Sequence, residues 1–304
     1  MSNLTPAGSI EAEAITTKER GQWALILRRF FRHRMAVASL IVFVLIVAFA
    51  FLGPYLWTWD YKIHPEIPSR AAPSLDHPFG TDKAGRDMLG AVMRATGQSL
   101  KVAFVVAIGS TVIGAIVGAV AGYFRGWTDA VIMRITDILF VIPFLVIAAA
   151  VAGAIGTSTR WYHMAFILAV FGWLNTARAV RAEVLSLREK EFIEAARAAG
   201  GSSWHIITKH LIPNTTSVII VSATLQIAFA ILSESTLSFL SLGIQSPDTS
   251  LGLLIQAAQG SAFNEFWYLF YIPGGMVILI ALTVNFIGDG LRDAMDPRQT
   301  MVRR

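Results

Sequence analysis

From residue 35 to residue 57, and again from 102 to 124, the chain runs without a charged side chain. Each run is about as long as the ~20 residues an α-helix needs to cross hydrocarbon, and an element facing water would interleave polar positions instead. Comparable apolar blocks lie at about 130–155, at about 161–177, from just after Pro213 to Ser233, and at 266–288. In lipid every backbone polar group must find its partner within the structure, which favours helices. The sequence therefore predicts an all-α membrane protein with six transmembrane helices. The alternative of two soluble domains fails on composition, with 55% hydrophobic and only 15% charged residues.

A net charge of +5 raises the question of an anionic partner. The location of the basic residues answers it. Most of the 25 Lys and Arg fall in the N-terminal segment, the turn near Arg125, the long polar stretch after residue 177 and the C-terminal tail, all on one side of the six-span arrangement. Excess positive charge marks the cytoplasmic side. Both termini are expected there, and no nucleic-acid partner is needed to explain the charge. The absence of cysteine excludes disulfides and thiolate sites and says little about compartment.

The organisation expected is a cytoplasmic tail and basic interfacial helix (1–34), a first span (35–57), an extracytoplasmic loop (58–97), a five-helix core (98–291) interrupted by a polar loop (178–213), and a cytoplasmic tail (292–304). Residues 1–20 read as a mobile tail, and the basic, aromatic stretch 22–34 suits the inner membrane surface and its lipids. Ala48-Phe49-Ala50 resembles a signal-peptidase site, but the apolar run is too long and starts too late, so the first span is expected to stay uncleaved. Within the core, Gly114, Gly118 and Gly122 leave one helix face without side chains, a surface for close helix packing. Arg134 and Asp137 are spaced to pair, Pro143 is expected to kink the third span and Pro273-Gly274-Gly275 to break the sixth. Gly290 and Pro297 should limit the last helical turn.

The stretch 178–213 carries too many charges for hydrocarbon and must sit in water. Residues 189–199 read as a short helix closed by Gly200-Gly201. Ser202 or Ser203 then caps a second helix that should stop before Pro213. Glu191 and Glu194 give the first helix its charge, and Ala195 and Ala196 give it a face that another backbone can approach closely. An ordinary amphipathic connector would share much of this pattern.

The spacing of Glu194-Ala195-Ala196, Gly200 and the apolar-Pro pair Ile212-Pro213 resembles the coupling loop of ABC-importer permeases, although His210 stands where the family has Ile. The stretch His77-Pro78, Gly80-Thr81-Asp82, Gly85-Arg86-Asp87 resembles the segment before the second span in C-type permeases of dipeptide and oligopeptide importers. Read as local structure, it is a turn at Pro78 and Gly80 followed by a helix capped by Thr81 or Asp82, with Met88, Leu89, Val92 and Met93 as its apolar stripe. Glu234 with the following LSFL, and the terminal GDGLRDAMDPR, resemble the same family.

The resemblance implies a type I ABC-importer permease fold in the bacterial inner membrane. It also implies a second homologous permease subunit, two ATPase subunits that bind ATP and Mg2+, and an extracytoplasmic substrate-binding protein. The cargo implied is a dipeptide or oligopeptide, with nickel chelates, glutathione or another peptide-like solute as alternatives. Glu234, counted from Pro213, should lie near the outer face, either lining the route for a substrate amine or pairing with a neighbouring subunit.

The chain lacks a Gly-x4-Gly-Lys-Ser/Thr phosphate loop, and its six histidines offer no His-Glu-x-x-His. It is expected to be no enzyme and to bind no metal or cofactor. A self-sufficient channel or ion-coupled carrier is the reading from another class. It lacks paired ionisable residues deep in the spans and the broken-helix pairs common in such carriers.

Overall fold

A computed structural model describes residues 22–155 and 160–295. The expected N-terminal tail, residues 1–20, and Pro297 lie outside the described residues. Among those described there is no strand, only one antiparallel bridge between Thr81 and Asp87.

Helix α1 (Gln22–Phe30) is short and amphipathic with Arg28 and Arg29 in its last turn, and leads into α2 (Arg34–Phe51), whose first turn is capped by the His33 ring. A one-turn helix, α3 (Gly53–Leu56), follows. Helix α4 (Met88–Phe124) has 37 residues, about 55 Å at 1.5 Å per residue. The expected motif helix and second span are thus one continuous rod. No proline interrupts them, and hydropathy marks where lipid begins without marking where a helix must start.

The third span is two helices, α5 (Gly126–Val141) and α6 (Phe144–Ile155), bent by 81° across Ile142-Pro143. The expected kink is a full break, because proline disfavours the helical conformation of the residue before it, and Ile142 is extended. Helix α7 (Trp161–Leu187) continues ten residues beyond the expected end of the fourth span. The polar loop therefore starts at Arg188, and Arg178, Arg181 and Glu183 ride on the end of a membrane helix.

Helices α8 (Glu191–Ala198) and α9 (Ser203–Ile206) form the expected corner, with Gly200 at φ 82° and Ser202 capping α9 through a bond from the His205 amide. The second helix does not stop before Pro213. It widens into a π-turn (Ile207–Leu211), in which the Ile212 amide reaches back to the Ile207 carbonyl, and passes through α10 (Ile212–Asn214) to α11 (Thr216–Phe239). Proline cannot donate to a tight turn and its ring crowds the carbonyl four residues back, so the wider turn accommodates it.

Helix α12 (Leu251–Ala257) is capped by Ser250, and α13 (Tyr268–Met295) ends the described chain. The break expected at Pro273-Gly274-Gly275 is absent. Proline removes one bond near the helix start, and at both glycines a Cβ would meet open space, so nothing there forces a bend. Nor does Gly290 end the helix. A Cβ there would lie 2.3 Å from that of Ala36, so this glycine admits the first turn of α2 against α13.

Among the described residues, five helices (α2, α4, α7, α11, α13) are long and apolar enough to cross a membrane, and the bent α5–α6 pair makes up to six. The main core joins α4, α7, α11 and α13 through Val92, Leu100, Leu168, Ile231, Leu237 and Ile280. A second cluster (Tyr123, Val180, Val184, Ile193, Ile206, Leu211) fills the end where α8 sits.

Candidate functional site

Two polar constructions cap the helical bundle, one at each end. At the first, α8 is an amphipathic helix too short to stand alone. Ile193 is fully buried against Val184, Ile206 and Ile207, whereas Glu191, Phe192, Glu194 and Ala195 are exposed and Ala196 is half-buried. Gly200 takes a left-handed conformation, and the Gly201 amide bonds to the Ala196 carbonyl at 3.0 Å. Pro213 lies away from α8, beyond the π-turn.

The flanks of α8 converge on one residue of α4. The Arg188 guanidinium donates to the Tyr123 carbonyl at 2.5 Å, and the Arg197 guanidinium lies 5.3 Å from the centre of the Tyr123 ring. Arg188 thereby satisfies a carbonyl at the negative end of α4, where a cation is favoured. Arg125 pairs with Glu189 at 3.0 Å, and Arg181 grips Asp129 with two bonds of 2.5 and 2.6 Å. The expected Arg134–Asp137 pair does not form. Asp137 instead accepts from Arg178 at 2.5 Å, and Arg178 stacks 4.0 Å above the centre of the Phe140 ring. The continuation of α7 to Leu187 puts Arg178 opposite α5, and a planar guanidinium can pair and stack at once.

At the opposite end, the residues Gly80 to Asp87 form a knot rather than an open loop. Asp87 is the helix cap, in place of Thr81 or Asp82. Its carboxylate is buried and accepts from the Gly90 amide (2.8 Å) and the Trp57 indole (2.9 Å), with His77 Nδ1 at 2.8 Å. Thr81 is buried, donating to the Pro68 carbonyl at 2.6 Å and accepting from the Ala71 amide at 2.7 Å. Asp82 accepts from the Ala84 and Arg86 amides and pairs with the Arg86 guanidinium at 3.1 Å. Gly80 (φ 71°) and Gly85 (φ 74°) turn the chain, and a Cβ at Gly80 would strike the Tyr268 ring at 2.5 Å.

Between the two ends, Gly114, Gly118 and Gly122 meet α7 as the spacing predicts. A Cβ would come within 2.6 Å of Thr176 Cβ, 2.4 Å of the Ala177 carbonyl oxygen and 2.9 Å of Val184 Cγ1, respectively.

Glu234 departs from both expected roles. Its side chain is fully buried inside the chain, accepting from Ser99 of α4 at 2.8 Å and from Ser238 at 2.7 Å. Those hydroxyls in turn accept from the Leu251 amide (3.5 Å) and the Ile244 amide (3.3 Å). The carboxylate is enclosed by its own chain in this structure and fastens the segment between α11 and α12 to α4. Asp248 adds a second fastening, accepting from Gln98 (2.7 Å) and Arg94 (3.2 Å). Sequence reasoning missed Arg188, Arg197, Tyr123 and Asp248, because their partners lie dozens of positions away and no local pattern reports such pairs.

Long spans sealed by glycines and an exposed two-helix corner between two of the spans recur in a known architecture. A chain of the inward-facing MetNI methionine ABC transporter superposes with a TM-score of 0.58, covering 69% of this chain and 98% of that one at 20% identity. The fold is that of a type I ABC-importer permease subunit. Residues 111–301 match the family of binding-protein-dependent transport system inner membrane components, and residues 21–73 match the N-terminal transmembrane domain of oligopeptide transport permease C. The oligopeptide transport system permease protein OppC of Mycobacterium tuberculosis is 41% identical over 280 residues, covering 92% of this chain and 96% of that one. That of Haemophilus influenzae is 39% identical over 290 residues, 94% of this chain and 92% of its own length. A putative peptide permease protein of Brucella suis is 37% identical over 281 residues, covering 91% of this chain and 92% of that one. The chain belongs to the binding-protein-dependent transport system inner membrane component family and is a multi-pass inner-membrane protein.

Proposed function

We propose that this chain is one of two homologous permease subunits of an ATP-driven importer of peptides, with two ATPase subunits and an extracytoplasmic binding protein. ATP and Mg2+ would be held by the ATPases, both termini and α8 would face the cytoplasm, and the Gly80–Asp87 knot would face outward. The peptide cargo follows from the names of the relatives, each covered over nearly its whole length.

One observation carries the coupling role. Helix α8 turns Glu191, Phe192, Glu194 and Ala195 to solvent while Ile193 anchors its other side. A face that combines two carboxylates, a small side chain and an exposed aromatic ring, rigidly backed, suits insertion into a partner cleft. Closure of the ATPase pair would then push α8, and Arg188 and Arg197, both on Tyr123, would pass the push to α4 as a rigid-body movement.

The test uses the assembled importer in proteoliposomes with its binding protein and a labelled peptide. Glu194→Lys reverses a charge on the exposed face. At Gly200 an added Cβ would meet no atom within 4 Å, but Gly200→Val forces a branched residue into the left-handed region, a cost of about 1–2 kcal/mol. Both variants should insert normally and lose uptake by about ten-fold or more, the loss expected when ~1.4 kcal/mol of coupling is removed. Wild-type uptake in both would remove α8 from the mechanism.

A further inference from the structure

We infer that the cleft between α2–α3 and α4, at the end of the bundle opposite α8, binds the phosphate of a phospholipid headgroup through Lys101. The cleft has a volume of about 260 Å³, and Phe51, Tyr55, Trp59, Arg94, Gln98 and Lys101 are among the residues lining it.

Depth comes first. Helix α2 has 18 residues, about 27 Å, close to the thickness of the hydrocarbon layer, so Phe51 at its end marks the boundary where phosphates lie. The Lys101 ammonium sits 6.0 Å from the centre of the Phe51 ring. Beyond Phe51, Leu52, Tyr55 and Leu56 of the α2–α3 corner are 60%, 88% and 85% exposed, the pattern of an interfacial anchor rather than of a protein core.

Charge comes second. Of the other ionisable residues on the cleft wall, Arg94 is engaged by Asp248 and stacks on Tyr61. Asp60 is engaged by Lys62 and His64. Partial burial pushes the Asp60 carboxyl up, but bonds from the Lys62 amide and the His64 ring, with the Lys62 charge, outweigh it and hold the group below its usual range. Lys101 makes no ion pair among the described residues, and a cation at the edge of hydrocarbon without a counter-ion is costly. A phosphate supplies that counter-ion. Gln98, 2% exposed, gives its amide nitrogen to Asp248 and brings no charge to the cleft.

Shape comes third. One and two turns along α4 from Lys101, Val105 and Ile108 are 45% and 64% exposed, and Phe104 meets Phe43 of α2 edge to face at 6.2 Å. An acyl chain running along this apolar track would leave its phosphate at Lys101.

The test is native mass spectrometry of the intact importer, delipidated and then exposed to bicelles of phosphatidylethanolamine, or to inorganic phosphate alone. Lys101→Met keeps the length of the side chain and removes its charge, and Lys101→Arg keeps the charge. Wild type and Lys101→Arg should retain one more phospholipid than Lys101→Met, whose affinity should fall about ten-fold, as loss of one charge-assisted bond implies. Phosphate alone should not fill the site, because the apolar track contributes to binding. Equal lipid retention in all three proteins would overturn the inference. So would saturation by inorganic phosphate, or dissociation of the partner permease from Lys101→Met, which would assign Lys101 to a subunit contact. Lipid retention is read without transport, so failure of the peptide-import reading leaves this result intact.

Discussion

Replacing Gly118 by alanine tests whether α4 and α7 touch backbone to backbone. The added Cβ would lie 2.4 Å from the Ala177 carbonyl oxygen and 3.1 Å from the Ala177 Cα, both main-chain atoms that cannot rotate away. Ordinary contact begins near 3.4 Å, so the helices must part locally by about 1 Å, enough to forfeit a quarter to a half of the contact energy around the site. Overpacking of this kind costs about 1–3 kcal/mol, against a gain of about 0.5–1 kcal/mol from placing alanine rather than glycine in a helix. The expected net loss is about 1–2 kcal/mol. Gly122→Ala should lose less, because its nearest neighbour is a methyl of Val184 at 2.9 Å, although the Arg181 carbonyl follows at 3.0 Å. Gly153→Ala, with no atom within 4 Å, keeps only the gain and should be neutral or stabilised. The assay is the fraction of purified, intact complex that stays monodisperse after stepwise heating in detergent. If Gly118→Ala proves no more heat-sensitive than Gly153→Ala, the close approach is not real.

Substitutions at two further positions probe the end opposite α8. Asp87→Ala leaves the Trp57 indole, the Gly90 amide and the His77 ring without their acceptor; at roughly 1–3 kcal/mol per orphaned group, the 58–87 segment should open to added protease. Protection equal to wild type would mean that Asp87 does not organise that segment. Glu234→Gln should cost about one hydrogen bond, roughly 1–2 kcal/mol, whereas Glu234→Leu orphans both serine hydroxyls and should expose the 240–250 segment to the same protease. Intact, protease-resistant Glu234→Gln that has lost uptake would show instead that the charge itself serves transport.

The number of apolar blocks was readable in the sequence because lipid imposes the same demand on every span. The glycine seam was readable too, since a four-residue period acts through local geometry alone. Helix ends were less readable. Arg178 and Arg181 look like the start of a loop until Asp137 and Asp129, 41 and 52 residues earlier, are seen to neutralise them on a helix. Glu234 misled for a related reason. A carboxylate near a span end reads as functional by default, and only the fold brings Ser99, 135 residues away, to within 2.8 Å of it. Pro143 and Pro273 are indistinguishable as letters, yet one separates two helices bent by 81° and the other sits inside a continuous helix.

That contrast bears on how a push at α8 would spread. Helix α4 runs without interruption from the Asp87 knot to Tyr123, and along three successive turns its glycines approach the α7 carbonyls of Trp173, Ala177 and Arg181 directly. A close-packed pair of this kind cannot absorb displacement by changing rotamers, so it must tilt as a unit. Compliance is available elsewhere, at the bend across Ile142-Pro143, where Phe144 rests on Phe229 at 5.3 Å between ring centres, and at the π-turn Ile207–Leu211. Both lie at the margins of the rod, one between α5 and α6 and the other between α9 and α10. Movement of α8 relative to the spans is therefore expected to change backbone angles at residues 141–144 and 207–211, while the distances across Gly114, Gly118 and Gly122 stay fixed.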